Sequence, residues 1–315
     1  MSEVWLHRYV LSSRRGLNAT SDRTVHEGAL LRVDDGVGCL HPWVELGDAS
    51  LEEQLAALGE GKVDLQVERA LTCARMDARA RARGKSLFEG LTIPLSHVLV
   101  ESENEYDRRR TEGFSIFKIK CGRDLDVERA LLERIGGGTG VALRLDFNER
   151  LEPGDFLEFW ESLSAAVRET VEFVEDPCPY ACEVWEDLRR RTGVRLAVDR
   201  QVCVANGGVD VLVVKPAVNR IRDVMEAVGD RTLPVVFTSY MDHPVGQMYA
   251  AFEAAMALWN SPGRVGVCGL LTHDLFEGDA FCDAVRTKGP RLKAPSGTGL
   301  GFDELIASLE WERLT

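Results

Sequence analysis

Between Ile93 and Leu270 the chain alternates short apolar runs with longer segments of helical period. The apolar runs are LSHVLVES, FSIFKIK, VALRLDFN, VEFVEDP, VRLAVDR, VDVLVVKP, LPVVFTSY and VGVCGL. Runs this short, rich in branched residues and bounded by turn residues, predict buried strands. The segments between them include LDVERALLERI, PGDFLEFWESLSAAV, CEVWEDLRRRTG, IRDVMEAVG and HPVGQMYAAFEAAMALW, in which apolar residues recur at helical spacing. Strands joined by helical crossovers predict parallel βαβ units, and eight such units close into a TIM-like barrel. One crossover, Gln201 to Gly208, is short for a full helix.

The first ninety-two residues follow another pattern. VWLHRYVL and GALLRVDDGVGCLHPW predict strands with turn residues between them, and SLEEQLAALGEG and VDLQVERALTCARMDARARARG predict helices after them. In the second helix Leu65, Ala70, Leu71, Cys73, Ala74 and Met76 supply the apolar face, and Gly84 is placed to end it. The expected organisation is an α+β capping domain over 1–92, a (β/α) barrel over 93–296, and a tail over 297–315. The tail, SGTGLGFDELIASLE, leaves the barrel through glycines, forms a short helix and returns to the cap.

The length of 315 residues suits a barrel of roughly 200–250 residues with a smaller partner. No apolar run approaches the roughly 20 residues of a membrane span, and the opening segment lacks the apolar core of a signal peptide, so a soluble cytoplasmic protein is expected. A net charge of -13 argues against a general nucleic-acid binder. It leaves small anionic substrates open, because a metal and a few lysines can reverse the field locally. The cysteines are scattered, and Cys178 and Cys182 have no second pair at zinc-binding spacing, so reduced thiols are expected. GGGTG at Gly136 lacks the Lys-Ser/Thr of a phosphate loop, and Asp242 and His243, directly before Pro244, read as a loop.

Chemistry gathers at the C-terminal ends of the strands, where barrels of this kind carry their active sites. The second run ends in Lys118 and Lys120, the third in Asp146 and Asn148, the fourth in Glu175 and Asp176, the fifth in Asp199 and the sixth in Lys215. Side chains two apart on a strand share a face. Lys118 and Lys120 therefore point together, and two buried lysines are expected to lower each other's pKa until one can act as a base. Three carboxylates on adjacent strands repel one another and call for a cation, and an all-oxygen set with open positions suits Mg²⁺. Each piece alone has a plain alternative: a solvated strand end for KIK, a turn for VEDP. The ordered set Lys-x-Lys, Asp, Glu, Asp, Lys on successive strands is what favours chemistry.

That ordered set resembles the enolase superfamily, within it the muconate-lactonizing-enzyme subgroup, and most closely the o-succinylbenzoate synthase family. The pieces that carry the resemblance are FKIKCG, LRLDFNE, VEDPC, VVKPAV and GLLTHDLF, with VVFTSYMDHPVG similar to the family's serine-rich strand-seven segment. The resemblance implies an α/β fold with a modified, (β/α)7β-like TIM barrel and an N-terminal cap. It implies Mg²⁺, with Mn²⁺ as a substitute, held by Asp146, Glu175 and Asp199. It makes Lys120 the acid/base, Lys118 its partner and Lys215 a cation on the opposite face of a small-molecule carboxylate. Asn148, Ser239 and the backbone amides near Gly269 and Leu270 are implied substrate contacts. The cap loop LSSRRGLNATSDR is expected to close over the site, with Arg14 and Arg15 near a second carboxylate. One departure is Arg200, where many relatives carry an acid after the third metal ligand. The implied reaction is a dehydration through an enediolate. Racemisation, epimerisation or cycloisomerisation uses the same groups, and a barrel kept only for binding is the alternative of another class. Neither nucleic acid nor membrane is expected as a partner, and the sequence leaves the oligomeric state open.

Overall fold

The computed structural model describes residues 3–17, 21–205, 207–228 and 232–314. The chain opens with an antiparallel sheet in which β1 (Trp5–Ser13) pairs with β2 (Val25–Val33), and β2 with β3 (Gly36–Leu40). Alternation along β1 turns Tyr9, Leu11 and Ser13 inward and Arg8, Val10 and Ser12 outward. Two helices follow. In α1 (Leu51–Gly59) the Ser50 hydroxyl accepts from the Glu53 amide while the Glu53 carboxylate accepts from Ser50, a reciprocal cap. In α2 (Leu65–Arg81) the Asp64 carboxylate caps the first turn. Val67, Ala70, Leu71 and Ala74 of α2 pack on Leu31 and Leu40 of the sheet. The helix lies so close that a Cβ on Gly38 would fall 1.9 Å from the Ala70 carbonyl oxygen, which restricts that position to glycine.

The second unit runs β4 (Val98–Leu99), α3 (Glu103–Thr111), β5 (Ile116–Lys120), α4 (Leu125–Ile135), β6 (Ala142–Asp146), α5 (Pro153–Ser162), α6 (Ala165–Thr170), β7 (Val171–Glu175), α7 (Cys182–Thr192), β8 (Leu196–Val198), β9 (Val211–Val214), α8 (Ile221–Val228), β10 (Val235–Phe237) and α9 (Pro244–Asn260). Strands β4 to β10 form one parallel sheet in sequence order. Residues 265–269 add the eighth stave. They bridge β10 through Val235–Val265 and Thr238–Gly269, and reach the first strand through Ser96–Cys268, so the sheet closes on itself. Phe173, Ala197, Val211, Val213 and Val236 fill the interior as a cluster of their own.

Three details differ from the sequence pattern or sharpen it. Helix α3 has no buried residue, so its sequence ENEYDRRRT carried no apolar period to announce it. The expected helix PGDFLEFWESLSAAV is broken into α5 and α6 at Leu163, because Ser164 caps a new start. Between β8 and β9 the described residues form turns and no helix, as the short crossover implied.

The chain returns to the cap at two places. After the barrel come β11 (Phe276–Glu277), α10 (Ala280–Ala284), the hairpin β12 (Arg286–Lys288) and β13 (Arg291–Lys293), then α11 (Asp303–Ala307) and β14 (Glu312–Arg313). Both β11 and β14 pair antiparallel with β1. A buried carboxylate anchors this return: Asp77 of α2 accepts from the amides of Val37 (2.9 Å) and Leu300 (2.6 Å) and from Arg81 (2.7 Å). Arg81 in turn donates to the Gly301 carbonyl and pairs with Asp303. On the other side, Arg69 of α2 meets Glu253 of α9 at 2.8 Å, and the Trp43 indole donates to the Tyr240 carbonyl at 2.8 Å. No helix among the described residues is long and apolar enough to cross a membrane.

The seam between cap and barrel buries His41 and His243 around Tyr9, whose hydroxyl lies 2.9 Å from His41 Nδ1. Burial pushes both imidazoles down to about 3. The folded chain thus holds them neutral while the unfolded chain takes up protons below about pH 6.5. Stability is expected to be full above that pH and to fall as pH drops from about 6.5 toward 3, by about 1.4 kcal/mol per pH unit for each imidazole. Thermal melting measured from pH 8 to 4 checks this. His243→Asn, which keeps a side-chain acceptor at the N-cap of α9, should flatten the slope, and an unchanged slope would exonerate His243.

Candidate active site

Strand register brings the ionisable groups together. Lys120 on β5, Asp146 on β6 and Glu175 on β7 are consecutive Cα partners across the sheet, and Ala197 on β8 continues the row two residues before Asp199. Lys118 lies one step lower, beside Arg144, and its side chain reaches up. Its ammonium stands 2.8 Å from Asp146 Oδ2 and 2.8 Å from Glu175 Oε1. Lys215, just past β9, pairs with Asp199. A cavity of about 400 Å³ opens above this row, and Lys118, Lys120, Asp146, Asn148, Asp199, Lys215, Ser239 and Gly269 all line it.

The three lysines differ sharply. Lys120 Nζ has no carboxylate within bonding distance among the described residues and donates to the Leu17 carbonyl at 2.7 Å. Burial, reinforced by the charges of Lys118, Arg123 and Lys215, overcomes the pull of Asp146 and brings its pKa down to about 8. Lys118 goes the other way. Burial opposes its charge, but Asp146, Glu175 and Asp199 hold the ammonium protonated and raise its pKa. Lys215 is raised as well, by Asp199 against burial. The expected mutual lowering of the lysine pair is therefore corrected to a one-sided effect: only the lysine without a carboxylate partner is lowered.

The carboxylates carry the matching imbalance. Burial, and then the neighbouring charge of Asp146, pushes Glu175 up to about 7. Asp146 is held below its usual value by Lys118 despite its burial. Asn148 sits at φ +50°, a left-handed position that asparagine tolerates, and its amide donates to Asp146 Oδ1 at 2.8 Å. As the side chains stand, no three His, Cys, Asp or Glu groups among the described residues converge as a metal cluster. Two observations nonetheless fit a divalent cation. The donor set is all oxygen, and the Lys118 ammonium between Asp146 and Glu175 occupies a place that wants positive charge, with Glu175 still short of it.

The substrate-side expectations fare unevenly. Ser239 Oγ lies 2.7 Å from Thr272 Oγ1 at the cavity wall. The amides of Gly269 and Leu270 do not face the cavity as donors: Gly269 N–H bonds the Phe237 carbonyl at 2.8 Å and Leu270 N–H bonds Ser96 Oγ at 2.9 Å. Both are consumed in closing the barrel, and the Leu270 side chain is fully buried. Arg15 reaches the cavity wall, paired with Glu101, whereas Arg14 pairs with Glu277 away from it. Of the cap loop expected to close the site, Gly16 and Leu17 line the cavity, and residues 18–20 lie outside the described set. Arg200 lines the cavity, and its guanidinium Nε lies 3.9 Å from Glu149.

Three supporting residues, Glu128, Arg144 and His97, escaped the sequence pattern, and a fourth, Asp176, was marked by it only as the end of a strand. Asp176, at φ +44°, turns back and accepts from the amides of Asp199 and Arg200, both at 3.1 Å, which places the third carboxylate. Glu128 accepts from the amides of Gly122, Arg123 and Asp124, fixing the turn after β5. Arg144, almost wholly buried, donates to His97 Nδ1 at 2.7 Å and to Glu172 at 2.8 Å. His97 lines the cavity; burial first, then Arg144 and Lys118, lowers its pKa so that it stays neutral.

A capped parallel barrel with acids and lysines at its strand ends defines a class, and comparison with known proteins agrees. Residues 101–304 match the family model described as enolase C-terminal domain-like, and residues 4–80 match that of the o-succinylbenzoate synthase N-terminal domain. The chain is 37% identical over 331 aligned residues to o-succinylbenzoate synthase of Bdellovibrio bacteriovorus, covering 100% of this chain and 99% of that one. It is 30% identical to o-succinylbenzoate synthase of Klebsiella pneumoniae over 171 residues, 49% of this chain and 50% of that one. Among solved structures, a dipeptide epimerase from Enterococcus faecalis complexed with Mg and the dipeptide L-Leu-L-Tyr superposes with a TM-score of 0.77 at 16% identity, over 95% of this chain and 98% of that one. Muconate lactonizing enzyme superposes at 0.74 with 13% identity, over 98% and 99%. At such identities these two structures speak for the fold alone. The chain belongs to the o-succinylbenzoate synthase family of the enolase superfamily.

The split between the lysines has a direct chemical readout. Brief treatment with dilute acetic anhydride, read by peptide mass spectrometry, should modify Lys120 increasingly as pH rises through about 8. Lys118 and Lys215 should resist under the same conditions. Equal labelling of all three would contradict the asymmetry.

Proposed function

We propose that this chain is an o-succinylbenzoate synthase: a lyase that dehydrates 2-succinyl-6-hydroxy-2,4-cyclohexadiene-1-carboxylate to 2-succinylbenzoate, a step of menaquinone biosynthesis in the cytoplasm. The observation that carries the reading is Lys120, a cavity lysine lowered to about 8 and facing a partner, Lys215, that is held as a cation. Full-length similarity to the Bdellovibrio protein of that name supports the particular substrate.

In this reading Lys120 Nζ takes the proton from the carbon beside the ring carboxylate. The electron pair of the broken C–H bond passes into that carboxylate, giving an enediolate. Lys120, now protonated, returns the proton to the hydroxyl on the same face as its C–O bond breaks, and water leaves. Loss of water makes the ring aromatic, which draws the second step forward. Lys215 stays charged on the opposite side and stabilises the enediolate electrostatically. Lys118 keeps positive charge under the site and raises the cost of a second ammonium at Lys120. Asp146, Glu175 and Asp199 are the groups that would hold Mg²⁺, or Mn²⁺ in its place. When bound, the metal supplies Lewis-acid stabilisation of the negative charge on the substrate carboxylate. Lys118 must then withdraw from between Asp146 and Glu175.

Racemisation is the second reading, because Lys120 and Lys215 rise from β5 and β9 on different sides of the cavity. It needs Lys215 to trade protons too, and the pairing with Asp199 works against that. The dipeptide-epimerase variant needs a free acid near the eighth stave for the substrate amine. Asp274 is instead engaged by Arg109 at 3.1 Å.

Purified protein should consume the cyclohexadiene, read by its diene absorbance, only with Mg²⁺ or Mn²⁺ present. The kcat/KM should rise with pH and level off above about 8, as Lys120 loses its proton. Lys120→Ala should cut turnover by about 10²–10⁴-fold and leave metal affinity intact. Asp146→Asn should instead raise the metal concentration needed for half activation. A folded, metal-binding protein inert on the diene, yet exchanging deuterium into N-succinylamino acids, would transfer the assignment to a racemase.

A further inference from the structure

We propose that His97 is a substrate-binding residue, a neutral imidazole whose Nε2–H holds an oxygen of the substrate's succinyl chain, and that Arg144 is the positioning residue that sets its tautomer. The inference rests on the function proposed above and extends it to the part of the molecule remote from the acids.

The tautomer follows from donor chemistry. Arg144 Nη1 lies 2.7 Å from His97 Nδ1. A guanidinium has only donors, so Nδ1 must accept, and the ring proton of the neutral imidazole sits on Nε2. Arg144 cannot turn away. Its Nε donates to Glu172 at 2.8 Å, its Nη1 also reaches the Val267 carbonyl at 2.8 Å, and its guanidinium lies 4.6 Å from the Phe173 ring centre. His97 is pinned as well, since its backbone N–H bonds the Cys268 carbonyl at 2.7 Å.

The free edge of the ring faces open space. Nε2 has no hydrogen-bond partner among the described residues, and His97 lines the cavity. Beside it stands Gly269, where a Cβ would come 2.9 Å from His97 Nε2 and 2.8 Å from Thr238 Cγ2. The two side chains pack so closely over this glycine that no larger residue fits there without moving the imidazole. Thr238, which also lines the cavity, has a buried Oγ1 with no hydrogen-bond partner among the described residues. A ring N–H left without a protein partner at the cavity wall is a place for a ligand oxygen.

Its location selects which oxygen. Asp146, Glu175 and Asp199 lie at the ends of β6, β7 and β8, while His97 directly before β4, Thr238 directly after β10 and Gly269 of the eighth stave stand on the opposite arc of the barrel. A substrate whose reacting carboxylate sits by the acids presents its other substituent to His97. For the proposed substrate that substituent is the succinyl chain, with a ketone and a carboxylate to accept from Nε2–H. An ammonium there would meet a donor backed by the Arg144 charge, so the arrangement discriminates against amino-terminal substrates.

The test uses the full-length protein with Mg²⁺ and ¹⁵N-labelled histidine. Long-range ¹H–¹⁵N spectra should show His97 neutral with Nε2 protonated, and its Nε2 resonance should shift when 2-succinylbenzoate is added. His97→Leu should weaken 2-succinylbenzoate binding and raise KM by about tenfold or more, with kcat within about threefold. His97→Gln, which restores a donor, should recover most of the loss, and benzoate, lacking the chain, should bind both variants as it binds the wild type. An Nδ1-protonated His97, an unmoved resonance when 2-succinylbenzoate does bind, or equal losses for 2-succinylbenzoate and benzoate would overturn the inference while the dehydratase assignment stands. A wild type that neither binds 2-succinylbenzoate nor consumes the diene would overturn both.

Discussion

Three carboxylates and three lysines share one barrel rim, mostly out of contact with water, and the rest of the site is organised around that crowding. Burying so much charge is costly unless each group finds a partner. Lys118 answers for Asp146 and Glu175, and Lys215 answers for Asp199. Lys120 is left with a carbonyl, and so becomes the one of the three lysines whose proton is easiest to remove. The property that makes Lys120 useful is thus produced by what its neighbours take rather than by anything it receives. Changing Lys118 would be felt at Lys120, Asp146 and Glu175 together, so single substitutions here will not add.

The cap contributes to the same balance. The Leu17 carbonyl that accepts from Lys120 belongs to the segment after β1, and β1 is the strand to which the chain returns twice, through β11 and β14. Trp43 holds the Tyr240 carbonyl, and the Tyr240 hydroxyl reaches Asp48 at 3.1 Å, so the segment after β10 is fastened to the cap. Ser239 and Thr238 stand just before that anchor. The cavity-lining groups just past β10 are therefore positioned from the cap side, while the acids stand at or just past the ends of paired strands.

That division explains what could be seen in the sequence. The parallel barrel, its missing helix and the row of strand-end ions were legible because they follow from period two, short apolar runs and one short crossover. The inequality of the lysines was not, since it depends on which carboxylate each Nζ reaches across strands. The amides of Gly269 and Leu270 were misjudged for a similar reason: their partners, Phe237 and Ser96, come from other staves, and only closure of the barrel brings them there. His97 and Arg144 sit inside LSHVLVES and VALRLDFN, runs that otherwise read as core. Nothing local distinguishes a buried polar residue with a partner from one that serves a ligand. Helix α3, apolar on no face, left no trace either.

The same distinction bears on how far likeness of fold can take a functional argument. A dipeptide epimerase and muconate lactonizing enzyme share this architecture at 16% and 13% identity, and any member that forms a carbanion beside a carboxylate can use an arc of acids flanked by lysines. That arc therefore favours a reaction class and is silent on the substrate. Selectivity must come from the opposite arc, where the first strand, β10 and the eighth stave meet. There this chain offers hydroxyls at Ser239 and Thr272 and the imidazole of His97, and the nearby Asp274 is engaged by Arg109. Such a lining suits oxygen acceptors on the substrate's far end.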